Sequence, residues 1–171
     1  MKEQIISTKK AIYLNEYNIL LNKTAYLPYS TGLIQAYAQT RSVVARNYEF
    51  KPIVFYRDNP IKILSLYDRP HVAAFSVSVW NEQLSLAVAR LVKGKFPECL
   101  IVFGGPSVPF DATEYLDIFP FIDVVVKGAG ELPFADILER FTESRDFSCI
   151  GAISFRDWAN GKIINNALER N

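Results

Sequence analysis

The stretch that most constrains this 171-residue chain is a near-continuous apolar run, Val72-Ala73-Ala74-Phe75-Ser76-Val77-Ser78-Val79. A strand with one face in water alternates apolar and polar residues, whereas a run like this belongs to a strand covered on both faces. Helical periodicity follows. Asn81 stands at a capping position, and Leu84, Val88, Leu91 and Val92 recur at i, i+4, i+7 and i+8. Gly94 and Pro97 end that pattern, and Leu100-Ile101-Val102-Phe103 reads as a second buried strand stopped by Gly104-Gly105-Pro106. The alternation extends both ways. A strand is expected over 11–17, then a helix capped by Ser30 that carries Leu33, Ile34, Tyr37 and Ala38. Pro52 introduces a short run over 53–56, and Pro60 opens a helix closed by Arg69-Pro70. Asp111 with Glu114 resembles a capping box, residues 123–126 form the next strand, and Phe134, Ile137, Leu138 and Phe141 mark a last helix. Residues 150–155 and 162–164 read as a ribbon around Asn160-Gly161. Short buried strands joined through helices predict an α/β domain, a three-layer, doubly wound, mostly parallel sheet. The expected division is a domain over 1–145 and a C-terminal ribbon, or the start of a linker, over 146–171.

Composition removes several function classes. Lys plus Arg number 19 against 18 Asp plus Glu, with no basic stripe, so no nucleic-acid partner is expected. No apolar run reaches the ~20 residues needed to span a bilayer, and no secretory segment opens the chain, which predicts a soluble, cytoplasmic protein with no membrane partner. Two distant cysteines, Cys99 and Cys149, and a single histidine, His71, offer no zinc or iron–sulfur ligand spacing. His71 precedes its strand, on the opposite edge from the loops that carry chemistry in such folds, so no Ser-His-Asp or Cys-His arrangement is available.

In doubly wound sheets ligands bind at the carboxyl ends of the strands, where the strand order reverses. The loops there carry the candidate residues. Gly104-Gly105-Pro106 lets a flat ligand lie on bare backbone, or makes a tight turn that binds nothing. Gly128-Ala129-Gly130-Glu131 opens a helix but lacks the spacing of the dinucleotide fingerprint; it serves a phosphate at a helix N-terminus or plain turn chemistry. Ser76 and Ser78 could bond a ligand edge or neighbouring carbonyls. Glu82, Asp111, Glu114 and Glu131 are explained by helix capping and dipole complementarity.

Taken together, these loops resemble the cobalamin-binding domain found in front of the catalytic domain of radical-SAM enzymes. Tyr26-Leu27-Pro28-Tyr29-Ser30-Thr31-Gly32-Leu33 resembles the family's Pro-rich approach to its first helix. Ser76-Val77-Ser78, Gly104-Gly105-Pro106 and the segment 123–131 follow in the family's order, with Ala129 where the family's Gly-Glu-Gly-Glu ending has an acid. The resemblance spans roughly residues 11–142 and implies a flavodoxin-like or Rossmann-like cobalamin-binding fold. Laid on the wider family's D-x-H-x-x-G, residues 27–32 keep only the glycine, and Tyr29 stands where a cobalt-ligating histidine would be. What the resemblance implies is a cofactor site of Tyr29, Ser76, Ser78, Gly104, Gly105, Pro106, Gly128, Gly130 and Glu131. In it the two glycines carry the corrin face and the serines line the nucleotide tail. Gly128, Gly130 and Glu131 hold the far end of that tail, and residues 22–29 cover the lower face of cobalt. It also implies a methyltransferase- or cyclase-like parent enzyme. S-adenosylmethionine and the four-iron cluster would belong to a radical-SAM catalytic domain, in cis or in trans, because its C-x-x-x-C-x-x-C is not in this sequence. The rival readings are a degenerate α/β docking domain that binds no cofactor, and a small flavin- or nucleotide-binding α/β protein.

Overall fold

The computed structural model describes residues 9–21 and 24–167. β1 (Lys10–Asn15) leads to a small hairpin, β2 (Leu20–Leu21) and β3 (Thr24–Ala25), then to α1 (Tyr29–Gln39), α2 (Ser42–Asn47) and β4 (Tyr48–Phe50). Next come α3 (Pro60–Leu64), β5 (Pro70–Ser76), α4 (Glu82–Lys95), β6 (Leu100–Gly104), α5 (Thr113–Ile118), β7 (Val124–Val126) and α6 (Glu131–Phe141). β8 (Ile153–Arg156) and β9 (Ile163–Asn165) follow. Seven strands make one sheet in the order β4-β1-β5-β6-β7-β8-β9. Its first five strands are parallel, and the C-terminal ribbon, β8 and β9, forms an antiparallel margin. The doubly wound sheet expected from the apolar runs is therefore the fold.

Both faces of the sheet are covered, as continuous apolar strands require. Tyr13, Phe75, Phe103 and Val125 face one layer, packing with Ile63 of α3, Val88 of α4 and Leu116 of α5. Their strand neighbours Leu14, Ala74, Val102 and Val126 face the other, packing with Ala38 of α1, Val44 of α2 and Phe134 of α6. The chain leaves β1 for β4 on one side and then crosses to β5 on the other, so the order reverses between β1 and β5. Loops diverge there and open a crevice at the carboxyl edge.

Several local expectations change. Ser30 does not cap α1: the N-cap is Pro28, which makes no side-chain cap bond. Asn81 sits at the N-cap of α4 but its side chain caps nothing; it clasps the preceding loop instead. Gly94 lies inside the last turn of α4, which ends at Lys95. Asp111 and Glu114 make no capping box: the N-cap of α5 is Ala112, and Asp111, one residue earlier, accepts from Thr113 N at 3.0 Å and Thr113 Oγ1 at 2.6 Å. The strand beside β1 is Tyr48–Phe50, earlier than the expected run over 53–56, because Pro52 has no N–H to give to a ladder. The later run still lies along β1, with Val54 N bonded to Leu14 O at 2.9 Å and Glu16 N to Val54 O at 3.0 Å.

Candidate ligand site at the carboxyl edge

A cavity of about 330 Å³ opens between α1, α6 and the carboxyl ends of β1, β5, β6 and β7. Its floor is apolar, because the strand residues that face the α1–α6 layer (Leu14, Ala74, Val102 and Val126) end there. Ile34 and Phe134 close its sides from α1 and α6. Polar groups lie at the rim: Ser30, Thr31 and Ser76, the backbone of the glycine turns, and Glu131.

Eight of the nine residues expected from sequence line this one cavity: Tyr29, Ser76, Gly104, Gly105, Pro106, Gly128, Gly130 and Glu131. Ser78 is not among them. It is buried in the loop after β5, where its N–H donates to Asn81 Oδ1 at 2.9 Å while Asn81 Nδ2 donates to Ser76 O at 3.0 Å. Of the segment expected to cover a cofactor, Asn22 and Lys23 fall outside the described residues. Tyr29 is 74% exposed at the mouth. His71 is the second residue of β5, at the opposite edge, its Nδ1 accepting from Ala11 N at 3.2 Å.

The two glycines of the turn after β6 have different reasons to be glycine. Gly105 has φ +108°, and a Cβ there would lie 2.6 Å from Val77 O and 2.8 Å from Val77 N. This close approach is bonded on either side, Val77 N to Gly104 O at 2.7 Å and Ser107 N to Val77 O at 3.2 Å. Gly105 is therefore required by the loop itself. Gly104 has ordinary room: a Cβ would stand 3.6 Å from Val126 Cβ and Val126 O. It pairs with Ser76 in register, and its missing side chain leaves a bare shelf at the mouth of the cavity. Gly128, at φ +65°, takes the left-handed turn into α6, whose N-cap Gly130 brings no side-chain cap.

Sequence reasoning missed the groups that shape the rim. Glu16, one residue past β1, is buried, and its Oε2 accepts from Thr31 N and Thr31 Oγ1, each at 2.9 Å. At the end of β1, Asn15 Oδ1 accepts from Tyr67 Oη at 2.7 Å and Tyr17 Oη at 3.0 Å, while its Nδ2 donates to Ala74 O at 3.1 Å. Burial pushes both phenols above the ordinary tyrosine range. The network therefore works as a set of neutral hydrogen bonds tying β1 to β5 beside the crevice. Among the described residues, no cluster of three or more His, Cys, Asp or Glu could hold a metal ion. No helix among them is long and apolar enough to cross a membrane.

An apolar slot with a polar rim that includes Glu131, set at the switch point of a doubly wound sheet, is the arrangement in which α/β domains of this kind bind ligands. No family model matches the chain. It is 37% identical to a 2-(S-pantetheinyl)-carbapenam-3-carboxylate methyltransferase of Streptantibioticus cattleyicolor over 82% of this chain and 21% of that protein. It is 31% identical to the cobalamin-dependent radical SAM methyltransferase TokK of Streptomyces tokunonensis over 91% of this chain and 22% of that protein. The chain thus spans about a fifth of the length of these curated relatives. The fold matches the cobalamin-dependent S-adenosylmethionine radical enzyme OxsB, solved with aqua-cobalamin and S-adenosylmethionine, at a TM-score of 0.71. That match covers 94% of this chain and 22% of OxsB at 16% identity. The radical methyltransferase TsrM of Kitasatospora setae, solved with cobalamin and an iron–sulfur cluster, matches at 0.66, covering 93% of this chain and 29% of TsrM at 16% identity. TokK and OxsB are cobalamin-dependent radical SAM enzymes, TsrM is a radical SAM methyltransferase solved with cobalamin, and this chain matches a portion of each.

Proposed function

We propose that this chain is the cobalamin-binding module of a radical-SAM enzyme and that its cavity receives cobalamin. The observation that carries the reading is the bare shelf of Gly104 at the mouth of an apolar slot. A flat macrocycle needs backbone without a Cβ beneath it, and a Cβ here would stand in the floor beside Val126. Gly104, with the turn that Gly105 and Pro106 shape, would carry the corrin. Ser76, which lines the cavity beside Gly104, would meet its polar edge, and the apolar slot would take the aromatic end of the tail. Gly128, Gly130 and Glu131 would close around that end, and Tyr29 would stand on the solvent side of the ring. When bound, cobalamin supplies a cobalt centre able to carry a methyl group. This chain's residues bind and orient it.

The reaction belongs to the parent enzyme. Both curated relatives are named methyltransferases, which favours methyl transfer over cyclisation. A radical-SAM catalytic domain, in cis or in trans, would supply S-adenosylmethionine and the iron–sulfur cluster. The same reading puts the protein in the cytoplasm, where the free thiols Cys99 and Cys149 stay reduced.

Titration with hydroxocobalamin and, separately, flavin mononucleotide, followed by absorbance, tests the reading. A saturable one-to-one change with hydroxocobalamin and none with the flavin is expected. Binding of the flavin alone would replace this reading with a flavin site. Binding of neither would make the module a docking domain.

A further inference from the structure

We propose that Glu16 is a positioning residue for the ligand cavity: its carboxylate holds the start of α1 against the end of β1 and so sets one wall of the site. The inference rests on the cobalamin reading above and adds a residue that the glycine turns do not suggest. Helix α1 begins without a cap of its own. Its N-cap is Pro28, with no side-chain bond, and its first turn contains no acid. Four N–H groups at a helix start need partners from elsewhere. Glu16 provides one from 15 residues back, accepting from both Thr31 N and Thr31 Oγ1 at 2.9 Å. Glu16 is itself fixed, because its N–H donates to Val54 O at 3.0 Å in the extension of the sheet. Its second oxygen, Oε1, accepts from Asn18 Nδ2 at 3.4 Å, and that amide also donates to Tyr26 O at 3.1 Å. One carboxylate thus ties the rigid end of β1 to the helix start and to the chain leading into it.

The tied helix start is cavity wall: Tyr29, Ser30, Thr31 and Ile34 all line the slot. Charge-assisted bonds to backbone N–H are among the stronger protein hydrogen bonds, and the carboxylate is buried, so the tether is stiff. It also offsets the positive end of α1, which leaves that end little to offer an anionic ligand.

The test compares Glu16→Ala with Glu16→Gln, which keeps an acceptor oxygen, and with Lys93→Ala, which breaks an ion pair at the opposite edge as a stability control. Three quantities are measured: hydroxocobalamin affinity, thermal midpoint, and hydrogen-exchange protection of the Thr31 amide without ligand. Glu16→Ala is expected to lose about 10-fold in affinity and about 10-fold in Thr31 protection. Glu16→Gln should recover most of both, and Lys93→Ala should bind as the wild type despite its lower midpoint. If Glu16→Ala fails to fold, Thr31→Val, which removes the hydroxyl's bonds to Glu16 and Pro28 O and keeps the amide bond to Glu16, is expected to weaken binding about 3-fold and to lower Thr31 amide protection. Wild-type affinity in Glu16→Ala, or no recovery in Glu16→Gln, overturns the proposal. If the wild type does not bind hydroxocobalamin, the cobalamin reading fails and Glu16 has no cobalamin to position. The exchange data would then still show whether Glu16 holds α1.

Discussion

At the scale of single residues, Gly104 and Gly105 look alike in sequence and differ in kind in space. Gly105→Ala puts a Cβ against Val77 backbone at a positive φ, so it is expected to destabilise by more than ~1 kcal/mol whether or not a ligand binds. Gly104→Ala meets nothing nearer than 3.6 Å and should leave the thermal midpoint almost unchanged while weakening cobalamin about 10-fold. Gly94→Ala, in an open position of the last turn of α4, should raise stability by roughly 0.5–1 kcal/mol and leave binding alone. Paired melts and titrations of the three variants check this. Equal affinity for Gly104→Ala and wild type would reduce the shelf to a turn. A second prediction concerns His71. Its Nδ1 accepts the Ala11 N–H, and burial, aided by Lys10, holds its pKa below the ordinary imidazole value. The unfolded chain therefore takes up the proton first as pH falls. The contribution of His71 is present above about pH 6.5 and lost on descending through the lowered folded value. Urea midpoints between pH 7.5 and 5.5 should fall more steeply for the wild type than for His71→Gln; parallel curves would remove His71 from the account.

At the scale of elements, what the sequence made legible follows from how the information is stored. β5 and β6 are readable because burial on two faces demands a continuous apolar run, and α4 and α6 because their apolar residues keep one helical period over several turns. α2 and the β2–β3 hairpin are not, since six residues or fewer give no period to read. The site divided the same way. Its glycine turns were visible because they punctuate strand ends, while Glu16 was only an acid in a polar stretch until the fold brought Thr31 to it. Ser78 lies apart from the cavity because β5 ends at Ser76, so the alternation of Ser76 and Ser78 does not carry on along the strand. Lys93 and Asp123 were equally silent, yet they lock α4 to the start of β7. Lys93 Nζ donates to both carboxylate oxygens at 2.8 and 3.0 Å, and Ile101 N donates to the same carboxylate at 2.7 Å. Burial pushes the Asp123 carboxyl above the usual range, against the pull of Lys93. Lys93→Ala should therefore cost about 3 kcal/mol by leaving a buried carboxylate without its cation. Lys93→Met combined with Asp123→Asn keeps an acceptor for Ile101 and removes the charge, and should recover more than half of that loss. Urea unfolding of the single and double variants decides it. An additive loss in the double variant would mean that packing, not charge, holds this corner.

At the scale of the whole molecule, the sheet has two chemically different edges. The amino edge carries the Lys93–Asp123 pair and His71; the carboxyl edge carries the cavity. His71 stands one residue into β5 and Ser76 ends it, so five steps at ~3.3 Å per residue put the start of the His71 side chain roughly 17 Å from the cavity rim. His71 is the only histidine in the chain, and its Nδ1 is engaged with Ala11. No imidazole of this domain can reach a cobalt held over Gly104. Tyr29, at the position where the wider family's motif has a histidine, is an exposed phenol, whose oxygen is a poorer donor to cobalt than an imidazole nitrogen. Cobalamin in this cavity should therefore carry no protein nitrogen on its lower face. Electron paramagnetic resonance of the Co(II) form, bound to the wild type and to Tyr29→Phe, measures this directly. Neither spectrum should show superhyperfine splitting from a histidine nitrogen, and the His71→Gln protein should give the wild-type spectrum. A splitting that disappears in His71→Gln would mean that cobalamin sits at the amino edge. The cavity between α1 and α6 would then have to serve some other ligand.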